Sequence, residues 1–365
     1  MSGKLRGVKQ LIEKLALALG VRSARAILSM IPEAERETIF INVLEEKTNA
    51  FATYHLRPKG SERFGLWSDP IRTLPKIGIV VQGPIIKEDD FTLETLKIYK
   101  KTMSDIPIIL STWDDEDVSY VNRIKSEGVF ILLNKKPEYP GPQNINYQIV
   151  SSRNGILKAK ELDAGYVLKT RTDQRMCAPN VAGFLVNVLC MFPPAGGFRQ
   201  KKRILGVSLN TFKYRPYGVS DMTIFGDIDD VLLYYSADLD MRRFGVEERA
   251  FLTSSVRNFA KLNICEIYLA TEYLKKTGRQ LLWTLEDSWS AFSEQFVIVD
   301  KESLDLFWFK YSREKEFRYL RYDGVRTDHE MTFREWLNLY GEAANKQAVP
   351  EYALDADFGE RVALI

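Results

Sequence analysis

Gly165-Tyr166-Val167-Leu168-Lys169-Thr170-Arg171-Thr172-Asp173-Gln174-Arg175 passes from an apolar, strand-forming run into a cluster of charge within a few residues. Side chains alternate along a strand, so a chain extended to its end points Lys169, Arg171 and Asp173 to one face. Ionised groups at the end of an apolar strand cost desolvation unless something needs them. Two cations and a carboxylate there suit a bound phosphate. A lone carboxylate with phosphate oxygens and waters would satisfy Mg²⁺ or Mn²⁺, and Arg171 and Arg175 could hold a diphosphate without metal through planar charge-assisted bonds. A structural ion pair among neighbours is the plainer alternative.

Upstream, three further apolar runs end in the same manner. Residues 77–81 lead into Gln82-Gly83-Pro84, residues 107–110 into Ser111-Thr112-Trp113-Asp114-Asp115, and residues 129–133 into Asn134. Helical periodicity predicts helices over residues 92–103, with Thr92 as N-cap, 118–127 and 144–162. Alternating β and α segments with continuous apolar strands imply a parallel sheet covered on both faces. Ligands of such sheets bind beyond the carboxyl ends of the strands, and polar endings on four strands favour a binding cleft along that rim.

The helix over 144–162 carries a polar, small-residue stripe, Asn144, Gln148, Ser151 and Gly155, beside an apolar one. Small residues allow close approach of a ligand or backbone, and amides can read a base or sugar; a solvated face is the bland alternative. Further on, the pattern is less regular, with a helix over 181–190, strands near 204–209, 222–225, 296–299 and 304–309, and a helix over 266–276. Asp221, before an apolar run, and Glu266, opening a helix, are candidate general bases for a hydroxyl nucleophile. A turn aspartate and a first-turn glutamate answering the helix dipole are their structural alternatives. His329 is a candidate late metal ligand, against a plain surface histidine. Residues 307–326 interleave aromatics with Lys and Arg, which suits a glycan, a membrane surface, or simply a core strand followed by a charged hairpin.

The chain has 365 residues, 45% hydrophobic and 27% charged, as in soluble globular proteins. A net charge of +2 makes no global electrostatic case for nucleic acid. Three unpatterned cysteines read as reduced thiols of a cytoplasmic protein, and two histidines exclude a histidine-rich metal cage. Phosphate-loop, dinucleotide-binding, nucleophile-elbow and zincin motifs are absent. No apolar run is long enough to span a membrane. Glu13 and Lys14 interrupt the apolar stretch 11–21, which lacks a small-residue cleavage site, so no secretory signal is expected. Residues 4–32 read as amphipathic helix, with Leu5, Val8, Leu11, Ile12, Leu15 and Leu19 on one side and Lys4, Lys9 and Lys14 off it. Packing on the main body is its plain reading. Peripheral contact with an anionic surface, the cytoplasmic face of the inner membrane, is the sharper one.

The ordered set Gln82-Gly83-Pro84-Ile85, Leu110-Ser111-Thr112-Trp113, Asn144-x-Asn146-x-Gln148-x-x-Ser151, Lys169-Thr170-Arg171-Thr172-Asp173-x-Arg175 and Ser220-Asp221-Met222 resembles the WavE family of lipopolysaccharide-synthesis proteins over about residues 76–300. The resemblance implies a glycosyltransferase of bacterial surface-polysaccharide assembly and a GT-A-like, Rossmann-type α/β fold: a mostly parallel sheet flanked by helices, with an N-terminal helical extension. It implies a nucleotide-sugar donor held by Gln82, Gly83, Pro84, Ser111, Thr112, Asn144, Asn146, Gln148, Lys169, Arg171 and Arg175. It also implies a metal-contacting role for Asp173, with Mn²⁺ or Mg²⁺ as the cation, and Glu266 as base; His329 as a second ligand and Asp221 as the other base remain the candidates named above. The usual D-x-D motif is altered here, since Arg171 stands two before Asp173. The acceptor would be a glycan or lipid-linked glycan. A sugar nucleotidyltransferase and a non-catalytic glycan-binding or scaffold protein are the competing expectations. The expected organisation is a helical extension and connector over 1–75, a nucleotide-binding half over 76–176, an acceptor-side half over 177–342 and a tail over 343–365.

Overall fold

A computed structural model describes residues 18–48, 51–52, 56–64, 74–244, 260, 262–263, 266–309 and 330–344. The chain forms two compact units, residues 1–56 and 57–365. In the first, α1 (residues 18–30) is followed across Pro32 by α2 (Glu33–Thr48). The basic residues expected before residue 18, the tail after residue 344, His329 and most of the aromatic–basic stretch lie outside the described residues.

The second unit is built on a seven-stranded sheet of order β3-β2-β1-β4-β7-β6-β8. Its strands are β1 (Ile77–Gln82), β2 (Ile108–Trp113), β3 (Phe130–Asn134), β4 (Tyr166–Arg171), β6 (Ile204–Val207), β7 (Ile224–Asp227) and β8 (Phe296–Val299). Helices α3 (Phe91–Thr102), α4 (Val118–Ser126) and α5 (Ile145–Glu161) connect the first four strands, which are all parallel. The fold class is the one anticipated: an α/β, mostly parallel sheet flanked by helices, in a chain with N-terminal helices. All six residues of β1 and of β2 are buried, which is why residues 77–81 and 108–110 form apolar runs before the polar strand ends. Each such aliphatic side chain contributes roughly 1.5–3 kcal/mol by leaving water.

Register gathers the polar strand ends on one edge. Gln82 stands opposite both Ser111 of β2 and Arg171 of β4, and Trp113 opposite Asn134. β7 then runs antiparallel to β4, with Ile224 opposite Lys169. The chain entering β7 therefore delivers Ser220-Asp221-Met222 to the edge where β4 ends. β6 is antiparallel to β7 and parallel to β8. The sequence pattern marked these later strands without showing that one of them is reversed.

Two local expectations are corrected. The strand through Lys169 does not stay extended to Asp173; it ends at Arg171, and a turn at Thr172 and Asp173 leads into β5 (Gln174–Met176), which pairs with β9 (Leu306–Trp308). Thr92 is not an N-cap, because Asp90 occupies that position. Instead the Thr92 hydroxyl donates to the Thr172 carbonyl at 3.0 Å and accepts from the Ile86 amide at 2.9 Å, which pins the turn after β4.

Beyond the first half, α6 (Val181–Met191) and α7 (Ile228–Tyr234) are followed by α8 (Glu266–Lys276), α9 (Leu285–Gln295) and α10 (Phe333–Ala344). Helix α5 lies close on β1 and β2 because residue 155 is glycine. A Cβ there would fall 2.4 Å from Val80 Cγ1 and 3.1 Å from Ser111 Cβ.

Candidate functional site

Of the small, polar stripe, Ser151 and Gly155 of α5 face the sheet. Ser151 is fully buried; its hydroxyl donates to Gln82 Oε1 at 2.8 Å, and its carbonyl accepts from the Ser111 hydroxyl at 2.7 Å. Asn134 donates to Ser111 Oγ at 2.9 Å and to the Thr112 carbonyl at 2.8 Å, and Asn154 donates to Asn134 Oδ1 at 2.9 Å. These rim residues satisfy one another, which is how buried polar groups avoid a desolvation cost. Thr112 donates to Glu116 Oε1 at 3.0 Å, and the same oxygen accepts from the Ile85 amide at 2.8 Å. Glu116 thereby ties the loop after β1 to the loop after β2. Gly83 has φ +121°, and a Cβ there would meet Thr172 Oγ1 at 2.8 Å, so this turn requires glycine. Pro84 and Asn144 are exposed. Asn146 is fully buried and bridges chain segments, donating to the carbonyls of Tyr139 and Asp240 and accepting from the Asp240 amide at 2.7 Å.

One strand further, charge is concentrated. Arg171 Nε and Nη2 donate to the two oxygens of Asp173, both at 2.8 Å, and Trp308 Nε1 donates to Asp173 Oδ2 at 3.1 Å. Lys169 is fully buried, with Nζ 2.6 Å from the main-chain carbonyl of Asp221 and 5.1 Å from the centre of the Tyr235 ring. Burial pushes its pKa down to about 7, an effect that the Asp221 carboxylate partly opposes. The Asp221 carbonyl accepts two more donors, the Tyr235 hydroxyl at 2.6 Å and Gln148 Nε2 at 3.2 Å. Asp221 is thus set in place through its backbone, and its carboxylate remains part of the charged group.

Glu266, the first residue of α8, is buried beside it. Asn210 Nδ2 donates to Glu266 Oε1, and Arg215 Nη1 lies 3.8 Å from Oε2. Its pKa is raised to about 7, first by burial and then by the neighbouring Asp221 carboxylate, while Arg215 pulls it back. The loop that brings Asn210, Arg215 and Asp221 here is anchored through Tyr217. That residue has φ +55°, donates its amide N–H to Ser288 Oγ at 2.8 Å, and donates its hydroxyl to Asp287, which Arg279 grips at 2.7 Å.

Arg175 is held apart from this group. Its guanidinium donates to Thr95 Oγ1 and to the carbonyls of Phe91, Pro58 and Lys59, and stands 4.4 Å from the Phe91 ring centre.

The model of the WavE lipopolysaccharide-synthesis family matches residues 77–358. The chain belongs to this family. No curated protein sequence matches it. Among solved structures it is similar to a cytidylyltransferase from Leptospira borgpetersenii serovar Hardjo-bovis, at 14% identity and TM-score 0.28, over 45% of this chain and 66% of that one. It is also similar to a mannosyltransferase from Pyrobaculum calidifontis in complex with GDP-Man and Mn²⁺, at 8% identity and TM-score 0.32, over 61% and 82% of the two chains. A third is core-mannan synthase A from Aspergillus fumigatus in an Mn/GDP form, at 8% identity and TM-score 0.30, over 71% and 82%. The chain spans about two thirds of the cytidylyltransferase it resembles.

Of the two residues expected to carry a cation in this WavE-family chain, His329 lies outside the described residues, and Asp173 is committed to other partners. Both Asp173 oxygens are engaged by the Arg171 fork, and Trp308 adds a third donor. Among the described residues no three His, Cys, Asp or Glu side chains are grouped so as to hold a metal ion. Sequence reasoning passed over Asn210, Arg215 and Glu116, and marked Trp308 only as part of the aromatic–basic stretch. An available signal was the segment Tyr214-Arg215-Pro216-Tyr217-Gly218, a cation inside a turn-forming run just before Asp221.

Proposed function

We propose that this WavE-family chain is a glycosyltransferase that moves a sugar from a nucleotide-sugar donor to a bacterial surface-polysaccharide acceptor, a glycan or lipid-linked glycan. The observation that carries this reading is the buried Asp221–Glu266 carboxylate pair on the same sheet edge as the Arg171–Asp173 fork. Residues 76–176 would hold the nucleotide, with Gly83 and Pro84 over it and Arg171 at the diphosphate, and residues 177–342 the acceptor. The acceptor hydroxyl loses its proton to Glu266 as its oxygen bonds to the anomeric carbon, and the bond from that carbon to the diphosphate oxygen breaks. Glu266 suits a base because its raised pKa lies near neutral pH, where proton affinity and availability are balanced. Arg171 compensates the charge that develops on the departing diphosphate.

α1 belongs to this reading as a peripheral contact with the inner-membrane surface. No described helix is long and apolar enough to cross a membrane. The decisive experiment is incubation with a panel of UDP-, GDP-, CMP- and dTDP-sugars, with thermal shift and product analysis. Stabilisation and turnover by one nucleotide sugar are expected. Condensation of a nucleoside triphosphate with a sugar phosphate would instead mean a nucleotidyltransferase, and absence of any nucleotide effect would leave a scaffold or glycan-binding protein.

A further inference from the structure

We propose that Arg171, held by Asp173, supplies the fixed positive charge for the donor's diphosphate, so that this chain binds a nucleoside diphosphate group without a divalent ion. The inference rests on the donor-site reading above and assigns Asp173 the part of a positioning residue for an arginine.

Three cations occur in the segment from Lys169 to Arg175, and the structure distinguishes them. Lys169 is fully buried with its ammonium on the Asp221 carbonyl. Arg175 is 3% exposed and its guanidinium is spent on Thr95 and three carbonyls. Arg171 alone of the three has a side chain with substantial exposure, 22%, against 6% for Asp173. It also stands at the carboxyl end of β4, opposite Gln82 of β1, where an α/β sheet receives its ligand. A ligand arriving at that edge meets the guanidinium before the carboxylate.

The geometry of the pair supports the same assignment. Asp173 receives two parallel N–H bonds of 2.8 Å from Arg171 and a third from Trp308. A cation on those oxygens would have to displace the fork and leave a guanidinium beside a divalent charge, both of the same sign. With the fork intact, the carboxylate restrains a planar donor whose N–H groups match phosphate oxygens. Thr92 pins the Thr172 carbonyl at 3.0 Å, and the Phe309 amide donates to the Asp173 carbonyl at 2.9 Å, so the turn bearing Asp173 is fixed from both sides.

The test uses the full chain with UDP, GDP, CDP and dTDP as probes in titration calorimetry, in chelator and again with Mg²⁺ or Mn²⁺. Manganese binding is followed separately by electron paramagnetic resonance. At least one nucleotide should bind with Kd values within about threefold across these conditions. Arg171→Lys should weaken it by about tenfold or more, because an ammonium cannot reproduce the planar fork. Asp173→Asn, which keeps the shape and removes the charge, should also weaken it. The spectrum of free Mn²⁺ should show no stoichiometric loss on adding wild-type protein, a readout independent of how any variant folds. Nucleotide binding that requires the cation, or one Mn²⁺ bound per chain and lost in Asp173→Asn, overturns the inference while leaving the donor site standing. Failure of every nucleotide in every condition removes the donor-site reading and the inference with it.

Discussion

Lys169 Nζ lies 2.6 Å from the main-chain carbonyl oxygen of Asp221, 52 positions further along the chain. The contact joins the end of β4 to the entry of β7 and places an ammonium where no water reaches it. Burial disfavours its charged form.

This predicts a particular dependence of stability on pH. The folded pKa of about 7 lies below the value of 10.5 for an exposed lysine. Between these values the unfolded chain binds a proton that the folded chain does not, so stability rises with pH across that window and the cost is full below it. Chemical denaturation at pH 7 and pH 10 should show wild type gaining about 2–4 kcal/mol from this group. Lys169→Met should lack that gain; an unchanged slope would mean the ammonium is charged in the folded state at both pH values.

Glu266→Gln should reduce kcat/KM by about 10²–10³, within the range usual for general acid–base groups. In wild type the acidic limb of the rate profile should fall as pH drops through about 7, because the raised pKa leaves less of the carboxylate form available. The variant's residual rate should be flat through that region. A retained limb in Glu266→Gln would point to another group as base, with Asp221→Asn the next variant to measure.

Gly155→Val should destabilise the chain by about 2 kcal/mol or more, since overpacking a tight core displaces neighbours. The added atoms would meet Val80 and Ser111 directly. Thermal unfolding would register the loss, and Ser111→Gly should recover part of it if the clash with Ser111 Cβ is responsible.

The described part of α1 carries Arg22 and Arg25 together with exposed Leu19, Ile27 and Met30. Flotation with vesicles containing anionic lipid should recover the full chain at low salt, with recovery falling as salt rises. Removal of residues 1–32 should abolish flotation and leave nucleotide binding intact. Equal recovery on neutral and anionic vesicles would exclude the electrostatic contact.

The alternating fold was legible because buried strands carry apolar runs, as residues 77–81 of β1 and 108–110 of β2 do. α8 was legible to its ends, residues 266–276, from its periodicity. The reversal of β7 was not, since a short buried strand has the same composition in either direction. The same limit applies to the rim: Gln82, Ser111 and Asn134 were recognisable as polar strand ends, but whether they face a ligand or each other depends on α5 lying above them.

Periodicity along a single chain was enough for the order of strands and helices from β1 to β4, the polar groups at strand ends and the charged segment Lys169–Asp173, whereas β5, α7, α9 and α10 were not read from it. Only the tertiary structure decided that the strand ends at Arg171, that Arg171 turns back onto Asp173, and that Lys169 reaches Asp221 while Glu266 is buried beside Arg215. Charges in a buried site choose partners by distance in space, and distance between residues so far apart along the chain is set by how the sheet is ordered and packed.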